Sequence, residues 1–82
     1  MPKHPRPRLS LFPENGKIRV ALKTLTPNFN RYEVRIDGGG WKPSDDTFIW
    51  SIGAGQNRLE ARTLNKFGVS GPVSVAGIEL TE

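Results

Sequence analysis

The sequence predicts an all-β protein, a sandwich of six or seven short antiparallel strands. Three observations predict this fold. Along several segments, apolar residues recur at every second position, which is the period of a strand with one buried face. Turn-forming residues separate these segments, so that a strand begins roughly every 10–14 residues. Finally, no stretch of the 82 residues shows the 3.6-residue period of an amphipathic helix over three turns.

The first five strands are predicted in order along the chain. A short run, Leu9–Phe12, comes first. Residues 17–23, 31–37 and 47–52 then alternate between apolar and polar side chains, and residues 58–63 do so again. Antiparallel strands with one face on a core show this alternation. The side chains expected in the core are Ile18, Val20, Leu22, Tyr32, Val34, Ile36, Phe48, Trp50, Ile52, Leu59 and Ala61.

The last strand breaks the alternation. Val73 and Val75 lie on one parity, whereas Ile78 and Leu80 lie on the other. One extra residue at Ala76–Gly77 would turn all of these apolar side chains to the core face. The pattern therefore predicts a β-bulge at Ala76–Gly77.

Turn signals separate the runs. Pro13–Gly16 contains Asn-Gly, the dipeptide that supplies the positive φ angles of a tight hairpin. Asp37–Gly40 and Gly53–Gln56 are rich in glycine, and Asn65–Pro72 is a longer connection. The glycines of Asp37–Gly40 lack the following helix and the Lys-Ser/Thr pair of a phosphate-binding loop, so we expect a turn there.

The composition excludes several kinds of chemistry. The chain has no Cys and a single His, His4, which lies in a proline-rich segment. Disulfides, thiolate nucleophiles, multi-histidine metal sites and an in-chain Ser-His-Asp triad are therefore excluded. We expect no enzyme activity, no cofactor and no metal site. No apolar run approaches the roughly 20 residues that span a bilayer, so membrane insertion is not expected.

Positive charge is concentrated at the start of the chain. Of the net charge of +4, residues 1–8 contribute three charges through Lys3, Arg6 and Arg8, with no acid. We expect residues 1–8 to form a flexible, basic, Pro-rich leader or linker, and residues 9–82 to form the folded domain. Binding of nucleic acid by the leader is the weaker alternative. The leader has no apolar segment behind it, so an export signal would lie in a longer parent chain.

Four motifs in order resemble bacterial Ig-like and fibronectin type III-like modules. They are a strand ending in Asp-Gly before a Trp (Tyr32–Trp41), an aromatic strand (Phe48–Trp50), a Gly-x-Asn lead into an alternating strand (Gly55–Thr63) and an Asn-x-x-Gly turn (Asn65–Gly68). The corner tyrosine of fibronectin type III modules would fall at Asn57, which favours the Ig-like branch. We expect Asn57 to bond backbone groups across the turn instead.

The resemblance implies a non-catalytic accessory, spacer or domain-docking module of a larger exported or cell-surface bacterial protein, with an association with polysaccharide left open. Its location would be secreted, periplasmic or at the cell surface. Its partners would be neighbouring domains or another protein. Two alternatives stay open: a carbohydrate-binding module that uses loop aromatics, and weak binding of a polyanion or nucleic acid through the leader.

Loop residues supply the candidate binding site. In an Ig-like order of strands, residues 26–30 and 65–71 emerge at the same end of the sandwich. Trp41 is a separate candidate, because a Trp with one wet edge can stack on a sugar ring or pack on a neighbouring strand. The alternative for the loop Phe residues is that both cap the open end of the core. The loop candidates form one polar and aromatic patch: Asn28, Phe29, Asn30, Asn65, Lys66 and Phe67.

Charged side chains suggest two further hypotheses. Asp37, Asp45 and Asp46 could bind Ca²⁺ if the fold brings them together, although acidic turn residues usually bond their own backbone. Outward-facing cations alternate with Glu33 and Glu60, and they either form cross-strand ion pairs or make one face that holds a sulfated polysaccharide or nucleic acid. These cations are Arg19, Lys23, Arg31, Arg35, Arg58 and Arg62.

Overall fold

The computed structural model describes residues 6–25 and 28–81. It contains seven strands within those residues. Their bounds are β1 (Arg8–Glu14), β2 (Lys17–Lys23), β3 (Phe29–Ile36), β4 (Lys42–Ser44), β5 (Thr47–Trp50), β6 (Gly55–Asn65) and β7 (Ser74–Leu80). The part of the chain described has no helix with the length and hydrophobicity that a membrane crossing requires.

The strands form two antiparallel sheets. One sheet has three strands in the order β1-β2-β5, and the other has four in the order β4-β3-β6-β7. Apolar side chains from both sheets belong to one core cluster. The sheets therefore pack face to face as a sandwich. The all-β sandwich predicted from the two-residue period is confirmed.

The core consists mainly of the positions that the alternation assigned to it. The buried members are Ile18, Val20, Leu22, Tyr32, Trp50, Leu59 and Ala61, and the partly buried ones are Leu9, Leu11, Val34, Phe48, Ile52, Ala76 and Ile78. Ile36 is an exception, because it ends β3 and remains 43% exposed. The prediction that Ile36 lies in the core is therefore wrong, because a side chain at the end of a strand has fewer neighbours from the opposite sheet to cover it.

Two turns use the positive φ angles that their sequences predict. Asn15 and Gly16 have φ of 49° and 76°, and they connect β1 to β2 with Glu14 paired to Lys17. Asp37 and Gly38 have φ of 52° and 76° after the end of β3. Asn, Asp and Gly tolerate this left-handed backbone better than other residues do.

Asn57 ties together the turn between β5 and β6. Its Nδ2 donates to the carbonyl oxygens of Gly53 at 2.8 Å, of Gly55 at 3.3 Å and of Ile78 at 3.3 Å. Its Oδ1 accepts from the Gly53 N–H at 2.9 Å. The residue is only 7% exposed, so these backbone groups are satisfied away from water. The prediction that Asn57 bonds backbone groups across the turn is confirmed.

The predicted bulge at Ala76–Gly77 is wrong. β7 pairs with β6 in unbroken register over its whole length. Ile78 therefore faces the core, while Val75 faces outward and is 53% exposed. The hydrogen bond from Asn57 to the Ile78 carbonyl oxygen favours this register. The register leaves Val75 in solvent, which is ordinary for a single valine on the outer face of a sheet.

Pro7 and Arg8, near the start of the described residues, join the edge of the domain. Most of the predicted leader, residues 1–5, lies outside the described residues. Pro7 is buried, and its carbonyl oxygen accepts a hydrogen bond from the Ser74 hydroxyl at 2.5 Å. β1 then begins at Arg8. The last two residues of the predicted leader are thus part of the folded domain.

Candidate functional site

The candidate site is one end of the sandwich, where the connection into β3 meets the loop after β6. We call it the loop end, and it comprises residues 28–30 and 65–69. The Lys66 N–H donates to the Asn28 carbonyl oxygen at 2.8 Å. Phe29 pairs with Asn65, and the ladder shifts register between Phe29 and Arg31. The structure therefore brings together all six loop candidates, as the strand order predicted.

Asn65 organises the loop after β6. Its Oδ1 accepts hydrogen bonds from the N–H groups of Phe67 at 2.9 Å and Val69 at 3.0 Å. Its own N–H donates to the Val69 carbonyl oxygen at 3.0 Å, and its carbonyl oxygen accepts from Gly68 at 3.0 Å. Gly68 has a φ of 81°, which glycine adopts without strain. The loop is therefore a defined turn rather than a loose connection.

This turn holds apolar side chains in solvent. Phe67 is 73% exposed and Val69 is 56% exposed. Leu25, in the connection between β2 and β3, is 84% exposed. Large apolar groups exposed close together, as Phe67 and Val69 are along one turn, mark interaction surfaces more often than scattered ones do. The sequence pattern singled out neither Val69 nor Leu25, although Val69 is an apolar residue inside the predicted connection Asn65–Pro72.

The two loop phenylalanines have different environments. The Phe29 ring packs against Tyr32, with centroids 4.7 Å apart and planes tilted by 54°. Phe29 is 39% exposed, so it partly covers the end of the core. Burial and the nearby charge of Asp46 raise the pKa of Tyr32 above its usual 10.0. The alternative that both phenylalanines cap the core therefore holds in part for Phe29 and not for Phe67.

A shallow groove runs beside the loop end. Its volume is about 670 Å³, and its lining joins the start of β3 to the segment between β4 and β5. The lining residues are Phe29, Asn30, Arg31, Tyr32, Ser44, Asp45, Asp46 and Thr47. Phe29 and Asn30 thus belong to both the loop end and the groove, which gives this end of the sandwich apolar, amide and acidic groups side by side.

The acidic residues considered for Ca²⁺ do not come together. Asp45 and Asp46 lie beside the groove, where β4 meets the start of β3, whereas Asp37 follows the other end of β3. The Asp37 Oδ1 accepts a hydrogen bond from the backbone N–H of Arg58 at 2.8 Å. Among residues 6–25 and 28–81, no group of three or more His, Cys, Asp or Glu side chains is placed to hold a metal ion.

The outer face of the four-stranded sheet carries arginines over two buried glutamates. Glu33 and Glu60 point away from the core, yet they are only 8% and 5% exposed. Arg62 donates to Glu33 at 2.8 and 3.0 Å. Arg35 donates to Glu60 through Nε at 2.8 Å and through Nη2 at 3.0 Å. We call this surface the arginine face, and it comprises Arg31, Glu33, Arg35, Trp41, Arg58, Glu60 and Arg62.

The arginines keep both glutamates ionised. Burial alone would raise the pKa of Glu33, but hydrogen bonds from Arg62 and Arg31 outweigh burial and lower that pKa below its usual 4.5. The hydrogen bond from Arg35 has the largest effect on Glu60 and lowers its pKa against the opposing effect of burial. Opposite charges at hydrogen-bond distance favour the charged form of each partner.

The hypothesis of one face with six cations is wrong. Arg19 and Lys23 belong to β2, which is in the other sheet. Arg19 contacts Glu14 there at 2.9 Å. The four remaining arginines each lie within 3.5 Å of a glutamate oxygen. Their charge is partly neutralised. Arg35–Glu60 and Arg62–Glu33 are the cross-strand ion pairs that the alternative hypothesis predicted, whereas Arg31–Glu33 and Arg58–Glu60 each lie within one strand.

Trp41 belongs to the arginine face and not to the loop end. The guanidinium carbons of Arg62 and Arg35 lie 4.1 and 4.8 Å from the centroid of its ring. Arg62 is three residues from Asn65 along β6, and Arg35 is six residues from Phe29 along β3; these separations correspond to about 10 Å and about 20 Å of extended strand. The Trp41 ring therefore packs on charged neighbours, at a distance from the six other candidates.

Comparison with known proteins adds no relative. No protein-family model matches this chain, and no curated protein or solved structure matches it either.

Proposed function

We propose that this chain is a non-catalytic docking module that binds a neighbouring domain or another protein through its loop end. One observation carries the proposal: Phe67 and Val69 are 73% and 56% exposed on a turn whose backbone N–H groups donate hydrogen bonds to the Asn65 side chain. Moving an apolar side chain out of water lowers the free energy. Two exposed apolar side chains on one turn therefore favour a partner that covers both of them.

The restricted backbone of this loop also supports binding, in addition to the exposure of its apolar side chains. A flexible loop loses conformational entropy when a partner fixes it, at roughly 0.5–1.5 kcal/mol for each immobilised side chain. Hydrogen bonds to Asn65 and the bond between Lys66 and Asn28 already restrict the backbone. A partner would therefore meet a preformed surface. The amide and apolar groups of the loop end offer no acid–base pair for catalysis.

The strand order supports membership of the Ig-like class. In Ig-like sandwiches the third, sixth and seventh strands share one sheet, and the first, second and fifth share the other. Six strands of this chain follow that arrangement. β4 departs from it, because the fourth strand of a constant-type Ig sandwich belongs to the sheet of the first, second and fifth strands, whereas β4 lies beside β3. Together with the motif resemblance, the arrangement of the six strands supports a module of an exported or cell-surface bacterial protein, such as a spacer or docking domain beside an enzyme or an adhesin stalk.

The test uses the domain encoded beside this one in its parent chain. Its affinity for the intact 82-residue chain is measured by calorimetry, then repeated with Phe67→Ser and Val69→Ser. Each variant is expected to weaken binding by about tenfold or more, as truncation of a central contact does. Ile49→Ser is the matched control, because Ile49 is 51% exposed on the other sheet.

Two results would contradict the proposal. The first is wild-type affinity in both loop variants. The second is an equal loss of affinity in Ile49→Ser, which would mean that exposed apolar area in general, rather than the loop end, determines binding. Circular dichroism of each variant shows that the fold is retained, and we expect it to be, since exposed side chains change stability by only about 0.5 kcal/mol.

Carbohydrate binding is the second candidate, favoured by the groove in which Phe29 and Asn30 face acidic and hydroxyl side chains. A ligand that binds only the native state raises the melting temperature. The probes are a soluble neutral β-glucan and a sulfated polysaccharide. A rise in melting temperature with the glucan that disappears in Asn30→Ala and persists in Phe67→Ala would support sugar binding in the groove, and no rise with either probe would remove this candidate.

A further inference from the structure

β7 is an open edge of the four-stranded sheet. It is the last strand in the order β4-β3-β6-β7, and it pairs with β6 without a register shift over seven residues. At its start, the Ser74 hydroxyl bonds to Pro7. Among residues 6–25 and 28–81, no backbone hydrogen bond joins the rest of this outer edge to another segment, and such unpaired backbone groups act as a template for another strand.

The other edge strands carry features that discourage pairing, and β7 does not. β4 has only three residues and includes Pro43, and β5 has four residues. β1 contains Pro13 and begins directly after Pro7. Proline, short length, lysine and bulges are the usual protections of an open edge. β7 contains no proline, no lysine and no bulge, so it is the edge best suited to accept a strand.

We propose that β7 pairs with β7 of a second copy of this chain, antiparallel and centred on Gly77. This register places Val75 opposite the partner subunit's Glu79, and Ala76 opposite the partner subunit's Ile78. Small residues then face larger ones, and no charge faces a like charge. The strand is self-complementary in this register, which is the requirement for a two-fold dimer.

The surface above Gly77 supports the same register. Gly77 has no side chain, and the hollow over it is part of a groove of about 910 Å³ that Arg58 and Glu79 also line. Because strands lie about 4.8 Å apart and rise about 3.4 Å per residue, the Cα atoms of Arg58 and the partner subunit's Glu79 would be about 12 Å apart. The two long side chains can meet across that distance, over the gap left by Gly77.

Both charges are available for this contact. Arg58 has a side chain that is 60% exposed, and it touches Glu60 only at 3.5 Å. Glu60 is already bonded twice by Arg35. Glu79 makes no ion pair with any residue that the structure describes. Each dimer would contain two such Arg58–Glu79 pairs, related by the two-fold axis.

The test is the mass of the full chain in solution, measured by sedimentation equilibrium up to millimolar concentration. We expect a reversible monomer–dimer equilibrium. Arg58→Glu should raise the dissociation constant by about tenfold or more, since it replaces two attractions by two repulsions. The exchange Arg58→Glu with Glu79→Arg in one chain should restore the dimer. A wild-type chain that stays monomeric, or a dimer that Arg58→Glu leaves unchanged, would overturn the proposal.

A pair of proline variants tests the edge directly. Successive N–H groups of a strand point to opposite sides, so only one of Ala76→Pro and Gly77→Pro removes a donor from the bond ladder with β6. The variant that keeps the wild-type melting temperature is the one that blocks the free edge, and it should abolish the dimer. If that variant still dimerises, β7 is not the interface.

The dimer and the proposed docking function can fail separately. Phe67→Ser changes the loop end and leaves β7 intact, so it should leave the dimer unchanged. A dimer that Phe67→Ser disrupts and the β7 variants do not would place self-association at the loop end and overturn this inference. Loss of partner binding in Phe67→Ser alone would leave the β7 dimer unaffected.

Discussion

The backbone N–H of Lys66 donates to the carbonyl oxygen of Asn28 at 2.8 Å. This bond continues the ladder between β3 and β6 past the point where Phe29 and Asn65 pair. It makes the connection into β3 and the loop after β6 one surface. Without it the two loops would be independent connections, and their exposed apolar side chains would be scattered singles of little significance.

Asn65→Ala should loosen the loop end while leaving the sandwich folded. The substitution removes the acceptor of the Phe67 and Val69 N–H groups, at a loss of about 1 kcal/mol in the free energy of unfolding. Amide hydrogen exchange at Phe67 and Val69 should become faster, because their hydrogen bonds break without global unfolding. Asn30→Ala is the control, since Asn30 is exposed. Equal exchange rates in the two variants would show that Asn65 does not fix the turn.

Asn57→Ala should destabilise the whole domain. Asn57 is 7% exposed and bonds three carbonyl oxygens and one N–H group. Buried polar groups that lose their partners cost about 1–3 kcal/mol each, and water can recover part of this near a turn, so we expect a total loss of about 2 kcal/mol. Urea denaturation measures it. Gln56→Ala changes the exposed neighbour and should shift stability by no more than about 0.5 kcal/mol.

The sequence predicted what depends on local pattern. The alternation in residues 17–23 and 58–63 identified strands and their core faces, because a half-buried strand must alternate. Asn57 could be placed at a turn because asparagine is suited to bonding backbone groups there. The meeting of Asn28 with Lys66 followed from the strand order of the resemblance.

The errors concern features that depend on neighbouring strands. The parity of Val75 suggested a bulge, but β7 takes its register from β6, and a strand at the sheet edge can leave a valine in solvent. Glu33 and Glu60 were assigned to solvent from their parity. They lie on the outer face but are buried, because long arginine side chains from adjacent strands cover them. No single-strand pattern contains that information.

Trp41 and Arg62 should be energetically coupled. The guanidinium carbon of Arg62 lies 4.1 Å from the ring centroid of Trp41, a distance at which cation–π attraction contributes about 0.5–1 kcal/mol on an exposed surface. A double-mutant cycle with Trp41→Ala and Arg62→Gln measures this coupling from urea denaturation. Additive effects of the two substitutions would show that the ring and the guanidinium are merely neighbours.

Stability should fall in acid as Glu33 and Glu60 take up protons. Arginine contacts lower the pKa of both carboxyls below the usual 4.5. A carboxyl with a lowered pKa in the folded state stabilises the protein fully above its unfolded pKa, and that contribution disappears as pH falls through the folded pKa. The free energy of unfolding should therefore be steady near neutral pH and decrease below about 4.5. Urea denaturation at a series of pH values measures the decrease.

Glu33→Gln and Glu60→Gln should each flatten the dependence of stability on pH, because glutamine does not titrate. Glu14→Gln is the control and should change that dependence less, since the Glu14 side chain is 53% exposed and surface ion pairs contribute little to stability. An acid decrease of the same size in all three variants would place its origin outside the arginine face.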